Sequence, residues 1–243
     1  MGERSDECPD SVTTTRDLWT NRGFAYSPMK GNEMTLRRYI SPLRDRSALA
    51  TRRQILDAAR ALFVEQGYVA TTIEQIAERA GVSKPTVFTA IGSKRALLKE
   101  LRDIALAGDD EPVPVPARPW FQEMIAEPDP RQTLRLYARA GASIQARYAD
   151  LEEVLHSAAG ADEELRELWQ TNEQERLAAA RAIVHNLLTK GPLKAGLDHA
   201  AASDIMWTYM ATDHFRRLVR DRGWPLDRYE QWLADTLYAQ LLP

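Results

Sequence analysis

The residues of this chain whose types and spacing suit chemistry crowd into 71–98, TTIEQIAERAGVSKPTVFTAIGSKRALL. Thr72, Ser83, Lys84, Pro85, Thr86, Thr89 and Lys94 place hydroxyl and ammonium groups in a stretch that otherwise repeats apolar residues at helical steps. Such groups hydrogen-bond to phosphates and to base edges in a groove. Bond-breaking chemistry finds no support in the chain. The one cysteine, Cys8, offers no disulfide, no thiolate cluster and no plausible nucleophile. The four histidines are scattered without metal-ligand spacing, and neither a Gly-rich phosphate loop nor a G-x-S-x-G turn is present. The carboxylate pairs Glu152-Glu153 and Glu163-Glu164 read as solvated charge on polar helix faces. The expectation is no enzyme, no metal and no cofactor.

Three helices must position those groups. Ile73, Ile76, Ala77 and Ala80 recur at three- and four-residue steps, giving one apolar face. Either Thr71 with Glu74 or Thr72 with Gln75 can form a capping box at its start. Gly81 suits a left-handed stop. Ser83 can cap the next helix, with Pro85 in the first turn, where a missing N–H costs nothing. Val82, Val87 and Ile91 supply the buried side of that short helix, and Phe88 reads as core. Lys84, Pro85, Thr86, Thr89 and Ala90 then face outward, the layout of a recognition helix whose N-terminal end meets the major groove. A preceding helix at 48–66 presents Ile55, Ala59, Leu62 and Phe63 and stops at Gly67. A following one begins at Lys94 and turns Leu97, Leu98 and Leu101 inward. A positive charge at a helix N-terminus is electrostatically unfavourable, which favours a functional reason for Lys94.

Charge is distributed to match. Residues 37–102 carry 13 Lys/Arg against 6 Asp/Glu, whereas the whole chain is at −3, so a basic module sits beside an acidic remainder. Phosphate binding needs local positive charge, not a positive total. Arg37, Arg38, Arg44, Arg46, Arg52 and Arg53 read as a phosphate-tracking or minor-groove arm, with a solvated basic arm as the alternative.

These residues carry a resemblance. R-x-x-I-L-x-A-A-x-x-L-F-x-x-x-G-Y at 52–68, T-T-I-x-x-I-A-x-x-A-G-V-S at 71–83, T-V-F at 86–88 and S-K-x-x-L-L at 93–98 resemble the DNA-binding domain of the TetR/AcrR family of bacterial regulators. The resemblance implies an all-α homodimer that reads two half-sites of double-stranded operator DNA, with a C-terminal helical domain for a small-molecule effector. It implies phosphate contacts at Thr72 and Lys94 and groove contacts at Lys84 and Thr86. The chain departs from the family pattern at 89–91, where an aromatic or histidine pair followed by Phe is usual. Thr89, Ala90 and Ile91 stand there, which removes part of the usual phosphate clamp.

Outside this module, residues 1–36 read as a disordered extension with no signal peptide, and translation can start at Met1, Met29 or Met34. Residues 37–108 form the basic arm and helix-turn-helix domain. The stretch 109–119, DDEPVPVPARP, is an extended Pro-rich link. Residues 120–243 form a helical ligand-binding and dimerisation domain with helices near 130–149, 151–159, 162–190, 199–222 and 226–242. No run approaches the roughly 20 apolar residues of a membrane helix, so the protein is expected to be soluble and cytoplasmic, with no membrane partner. Candidate effector contacts are Trp120, His156, Trp169, His185, Trp207 and His214, around a mostly apolar molecule. Phe215, Leu218, Tyr229, Trp232, Leu233 and Leu237 are candidate dimer contacts, following the family. The expected function is a ligand-responsive DNA-binding regulator, most commonly a repressor. The alternative is a helical sensing or protein-interaction module whose DNA-reading head has degenerated.

Overall fold

The computed structural model describes residues 42–111 and 113–243, and for 42–45 the backbone alone. The expected extension 1–36, the alternative starts, Cys8, Arg37, Arg38 and the Arg44 side chain lie outside the described residues. No strand occurs among the described residues, and no helix there is long and apolar enough to cross a membrane.

The first four helices are α1 (Pro42–Ala70), α2 (Ile73–Arg79), α3 (Lys84–Ala90) and α4 (Lys94–Ala107). Gly67, at φ 82°, interrupts α1 where the sequence places its stop. Of the two possible capping boxes the chain makes that of Thr72 and Gln75. Thr71 turns inward instead, and its hydroxyl donates to the Gly67 carbonyl at 2.8 Å. Gly81, at φ 67°, lets the chain reverse between α2 and α3 without a Cβ penalty. Ile55, Ala59, Phe63, Ile76, Val87, Leu97 and Leu98 close the core between these helices.

The link departs from the expected extended run. Val115–Ala117 make a 3₁₀ turn, and the buried Arg118 guanidinium donates two hydrogen bonds to Asp109, at 2.6 and 2.9 Å. That pairing holds the Asp109 carboxyl well below the ordinary range, at about 2. A short helix after the link, α5 (Pro119–Ala126), buries Phe121 and Met124.

Helix α6 (Pro130–Ala159) is continuous where two helices were expected, because nothing at 149–151 breaks it. Helix α7 spans Glu163–Leu188. The expected helix 199–222 is broken. Helix α8 (His199–Tyr209) ends at Met210, and α9 (Thr212–Phe215) resumes and widens into a π turn over Arg216–Asp221. Helix α10 covers Leu226–Leu241. The break is seated on α6. A Cβ added at Gly141 would stand 2.2 Å from the Met210 methyl, and Gln145 Nε2 donates to the carbonyls of Met210 and Ala211 at 3.1 and 3.3 Å.

The hydrophobic core does not divide at the link. One cluster joins α1–α4 to Tyr148, Leu151, Val154, Leu155 and Ala158 of α6 and to Leu165 of α7. The other gathers Leu134, Ala138 and Ala142 of α6 with α5, α8, α9, α10 and the later part of α7. Helix α6 thus belongs to both cores.

Candidate nucleic-acid interface and effector site

Helix α3 is fixed from behind by Val87, fully buried, and at its start by Ser83, whose hydroxyl accepts from the Thr86 amide at 3.3 Å. Ser83, Lys84, Pro85 and Thr89 are exposed. Thr86 is half-buried, and its hydroxyl pairs with that of Ser83 at 2.8 Å. Thr89 donates its hydroxyl proton to the Pro85 carbonyl at 2.9 Å, which leaves its oxygen lone pairs outward. Lys84 pairs with Glu74 of α2. An exposed ion pair is worth about 0–1 kcal/mol, so the ammonium is readily exchanged to a phosphate. Thr72, exposed at the start of α2, is committed to its capping box.

Two residues of α3 differ from expectation. Phe88 is 49% exposed. Val87 takes the inward direction, and the adjacent position on a helix turns about 100° away from it. Ala90 is half-buried against the core, not outward.

Three expected phosphate contacts are engaged within the protein. The Lys94 ammonium donates to the carbonyls of Tyr68 and Thr71, at 2.9 and 2.8 Å, and lies 4.2 Å from the Tyr68 ring centroid. It caps the end of α1, sharing the Tyr68 carbonyl with the Thr71 amide, and burial lowers its pKa. Arg52 pairs with Glu100 of α4, and Arg53 with Asp110 of the link at 3.1 Å. Opposing carboxylates thus draw both arginines toward α4 and the link. Arg53 also lines a cavity of about 500 Å³ with Asp57, Arg60, Asp109 and Arg147, between α1, α4 and α6.

Of the expected effector contacts, His156 and Trp169 meet each other, and the others are dispersed. Trp120 packs edge-on to Phe121 in α5. His156 is exposed and lies against Trp169, with ring centroids 4.6 Å apart. His185 is exposed on α7. His214 is half-buried between Tyr209 and Trp232, and burial lowers its pKa. Trp207 lies under the Arg176 guanidinium, 5.0 Å from ring centroid to guanidinium carbon.

The dimer candidates also change place. Phe215, Tyr229, Leu233 and Leu237 are at most 1% exposed in the single chain. They pack α9 and α10 onto α6 and are core in the single chain. Leu218 and Trp232 are half-buried, while Arg228, Gln231, Asp235, Ala239 and Gln240 form the open face of α10.

Sequence reasoning missed a buried polar network. Glu152 is 5% exposed, not solvated. It accepts from Asn172 Nδ2 at 3.2 Å and from the Thr212 hydroxyl. Asn172 Oδ1 accepts in turn from the Tyr148 hydroxyl at 3.1 Å and from Arg102 Nε at 3.2 Å. Arg102 pairs further with Glu175. The signal was periodicity: Tyr148, Glu152, Leu155 and Ala159 fall on one helical face, and that face is buried. Among the described residues no group of three or more His, Cys, Asp or Glu is placed to hold a metal.

The model for bacterial regulatory proteins of the tetR family matches residues 55–101. The HTH-type transcriptional regulator YdeS of Bacillus subtilis is 30% identical over 158 residues, covering 65% of this chain and 74% of YdeS. The HTH-type transcriptional regulator TtgR of Pseudomonas putida is 27% identical over 169 residues, covering 67% of this chain and 78% of TtgR. Among solved structures, NalD of Pseudomonas aeruginosa, the secondary repressor of the MexAB-OprM multidrug efflux pump, superposes with a TM-score of 0.62 at 24% identity. That superposition covers 81% of this chain and 98% of NalD.

Proposed function

The chain belongs to the TetR family of bacterial regulatory proteins, and from that premise we propose that it is a homodimeric repressor released from its operator by a small molecule. The observation that carries the reading is α3: Val87 anchors it while Ser83, Lys84, Pro85, Phe88 and Thr89 stay open to solvent. Paired α3 helices enter successive major grooves. Lys84 leaves Glu74 for a phosphate, and Phe88 and Thr89 meet base edges, where an apolar surface suits a thymine methyl. Arg52, Arg53 and Lys94 are paired within the protein in the free chain, and their phosphate contacts require these pairs to open, as the Lys84 pair does.

In this reading residues 37–108 are the DNA-binding part, 109–119 the link, and 120–243 the effector and dimerisation part, in a cytoplasmic protein. Repression is favoured by the likeness to NalD, itself a repressor. Effector binding favours one of two spacings of the DNA heads. A ligand shifts such an equilibrium only by its differential affinity for the two states, and about 5.5 kcal/mol takes it from 1:99 to 99:1.

Selection of genomic fragments by the purified full chain, followed by footprinting, tests this. The expected result is a dyad of protected half-sites centred roughly 34–36 Å apart or a multiple of that. Fragments selected without a shared sequence would leave the alternative, a sensing module with a degenerate head.

A further inference from the structure

Helices α6, α7 and α8 meet around one guanidinium. Arg176 of α7 places its guanidinium carbon 5.0 Å from the Trp207 ring centroid. Its Nη2 lies 2.5 Å from Glu173 Oε2, and its Nη1 lies 3.9 Å from Glu152 Oε1. An aromatic face and two carboxylates around a positive charge make a cation-binding box. Here the chain fills it with its own side chain.

We propose that this box is a binding site for a small organic cation, and that Arg176 is the resident group such a ligand displaces. The proposal rests on the effector reading above and names the chemical class of the effector.

Arg176 fits the box poorly. Arg176 Nε, Glu173 Oε1 and Trp207 Nε1 are all buried without a hydrogen-bond partner, and the contact to Glu152 is at the limit of an ion pair. A guanidinium carries five N–H donors, and a desolvated donor left unpaired is costly. A quaternary ammonium head has no N–H to leave unpaired. It can lie on the Trp207 face and approach both carboxylates together. Burial raises the pKa of Glu152 against the lowering effect of Arg176, and a closer cation would favour its ionised form further.

The charges also select. Two carboxylates face one guanidinium, so an anion is repelled, and a neutral molecule gains nothing from them. Tyr137, close enough for its phenol to feel the Arg176 charge, adds aromatic surface for the body of a ligand. The Arg176 side chain is 19% exposed, so it reaches solvent and can swing outward. An exchange here is passed on, because Glu152 is bonded to Thr212 of α9 and, through Asn172, to Arg102 of α4.

The test titrates the full chain with choline and tetramethylammonium, and with 3,3-dimethylbutan-1-ol as the uncharged isostere of choline. Tryptophan fluorescence and thermal shift are read in the wild type, Arg176→Ala, Arg176→Met and Glu173→Gln. DNA affinity is read in parallel. The expected result is saturable binding of the cations and not of the alcohol. Binding should be roughly tenfold or more tighter once Arg176 is removed, and weaker by a similar factor in Glu173→Gln. Arg176→Met preserves packing along the stem, so the comparison holds if the alanine variant does not fold. Equal binding of the alcohol overturns the proposal. So does absence of saturable binding in the wild type and in a folded Arg176 variant, even where DNA binding is intact. Cation binding with unchanged DNA affinity upholds the site and removes the effector-release reading instead.

Discussion

Arg102 Nε donates to Asn172 Oδ1 at 3.2 Å, joining α4 of the DNA-binding head to α7 through two buried side chains. The same amide serves Tyr148 and Glu152 of α6. One asparagine therefore fixes the relative position of three helices, and its two ends require opposite partners. A shift of α7 toward or away from α6 cannot preserve both bonds, so the network transmits displacement to α4. The effector reading proposed above would act on the head through these bonds.

Asn172→Ala should expose the value of that amide. It leaves the Tyr148 hydroxyl, Arg102 Nε and one Glu152 oxygen short of a partner. Each such loss in a buried site costs about 1–3 kcal/mol. Urea unfolding should show a clear loss of stability, and the ligand-induced change in DNA affinity should shrink more than the affinity of the ligand-free protein. An unchanged urea midpoint would contradict the assigned bonds.

Lys84 and Glu74 make a second prediction. Lys84→Ala should weaken DNA binding and lower the slope of log affinity against log salt by about one phosphate's worth, roughly 0.9. Glu74→Gln should do the opposite, because it frees the ammonium and removes a negative charge beside the phosphates. Both variants should keep the thermal stability of the wild type, since the pair is exposed and screened by solvent. Salt titration of DNA affinity checks each.

Phe88 is an apolar surface facing solvent on the recognition helix. Phe88→Ala should change stability by no more than about 0.5 kcal/mol, as exposed substitutions generally do. It should lower affinity for the operator several-fold while leaving affinity for random duplex little changed. Paired binding curves on the two duplexes decide this. Equal loss on both would place Phe88 outside base reading.

The head was readable because its signals are local. Thr72, Gly81, Ser83 and Pro85 each act within four residues, so caps and turns follow from neighbours alone. What escaped was decided across the fold. The break at Met210–Ala211 contains neither Gly nor Pro. It is met by Gly141 and Gln145 of α6, the latter 65 residues from Met210. Lys94 reads as a phosphate contact because a lysine opening a helix needs a reason, and the carbonyls of Tyr68 and Thr71, distant in sequence, supply a structural one that spacing alone does not show. Tyr229, Leu233 and Leu237 form an apolar stripe that is the same whether it meets α6 or a second subunit, so periodicity alone could not choose. Glu152 was hidden by its neighbour: the pair with Glu153 looked polar, although only Glu153 faces water.

Glu152 carries the pH dependence. Burial raises its folded pKa above the unfolded value, so between the two the folded state holds a proton the unfolded state lacks. Stability from this group is therefore full below the unfolded value and falls as pH rises through the folded one. Arg176 and Glu173 face the same carboxylate and modulate the window from opposite sides. Glu152→Gln should remove this contribution, so the urea midpoint of the variant should gain on the wild type as pH rises from about 4 to 8. A constant difference across that range would contradict a raised folded pKa.

The central claim is that this chain reads DNA sequence through α3. The most direct measurement is fluorescence anisotropy of the full chain on a duplex carrying the DNA upstream of its own coding sequence. A scrambled duplex is run over the same salt series, and Thr89→Ala and Phe88→Ala are run beside the wild type. The account predicts tight, salt-sensitive binding that prefers the upstream duplex by a factor of roughly 10³ or more, with the preference reduced in both variants. Equal affinity for the two duplexes and for fragments selected from the whole genome, unchanged by either substitution, would contradict it.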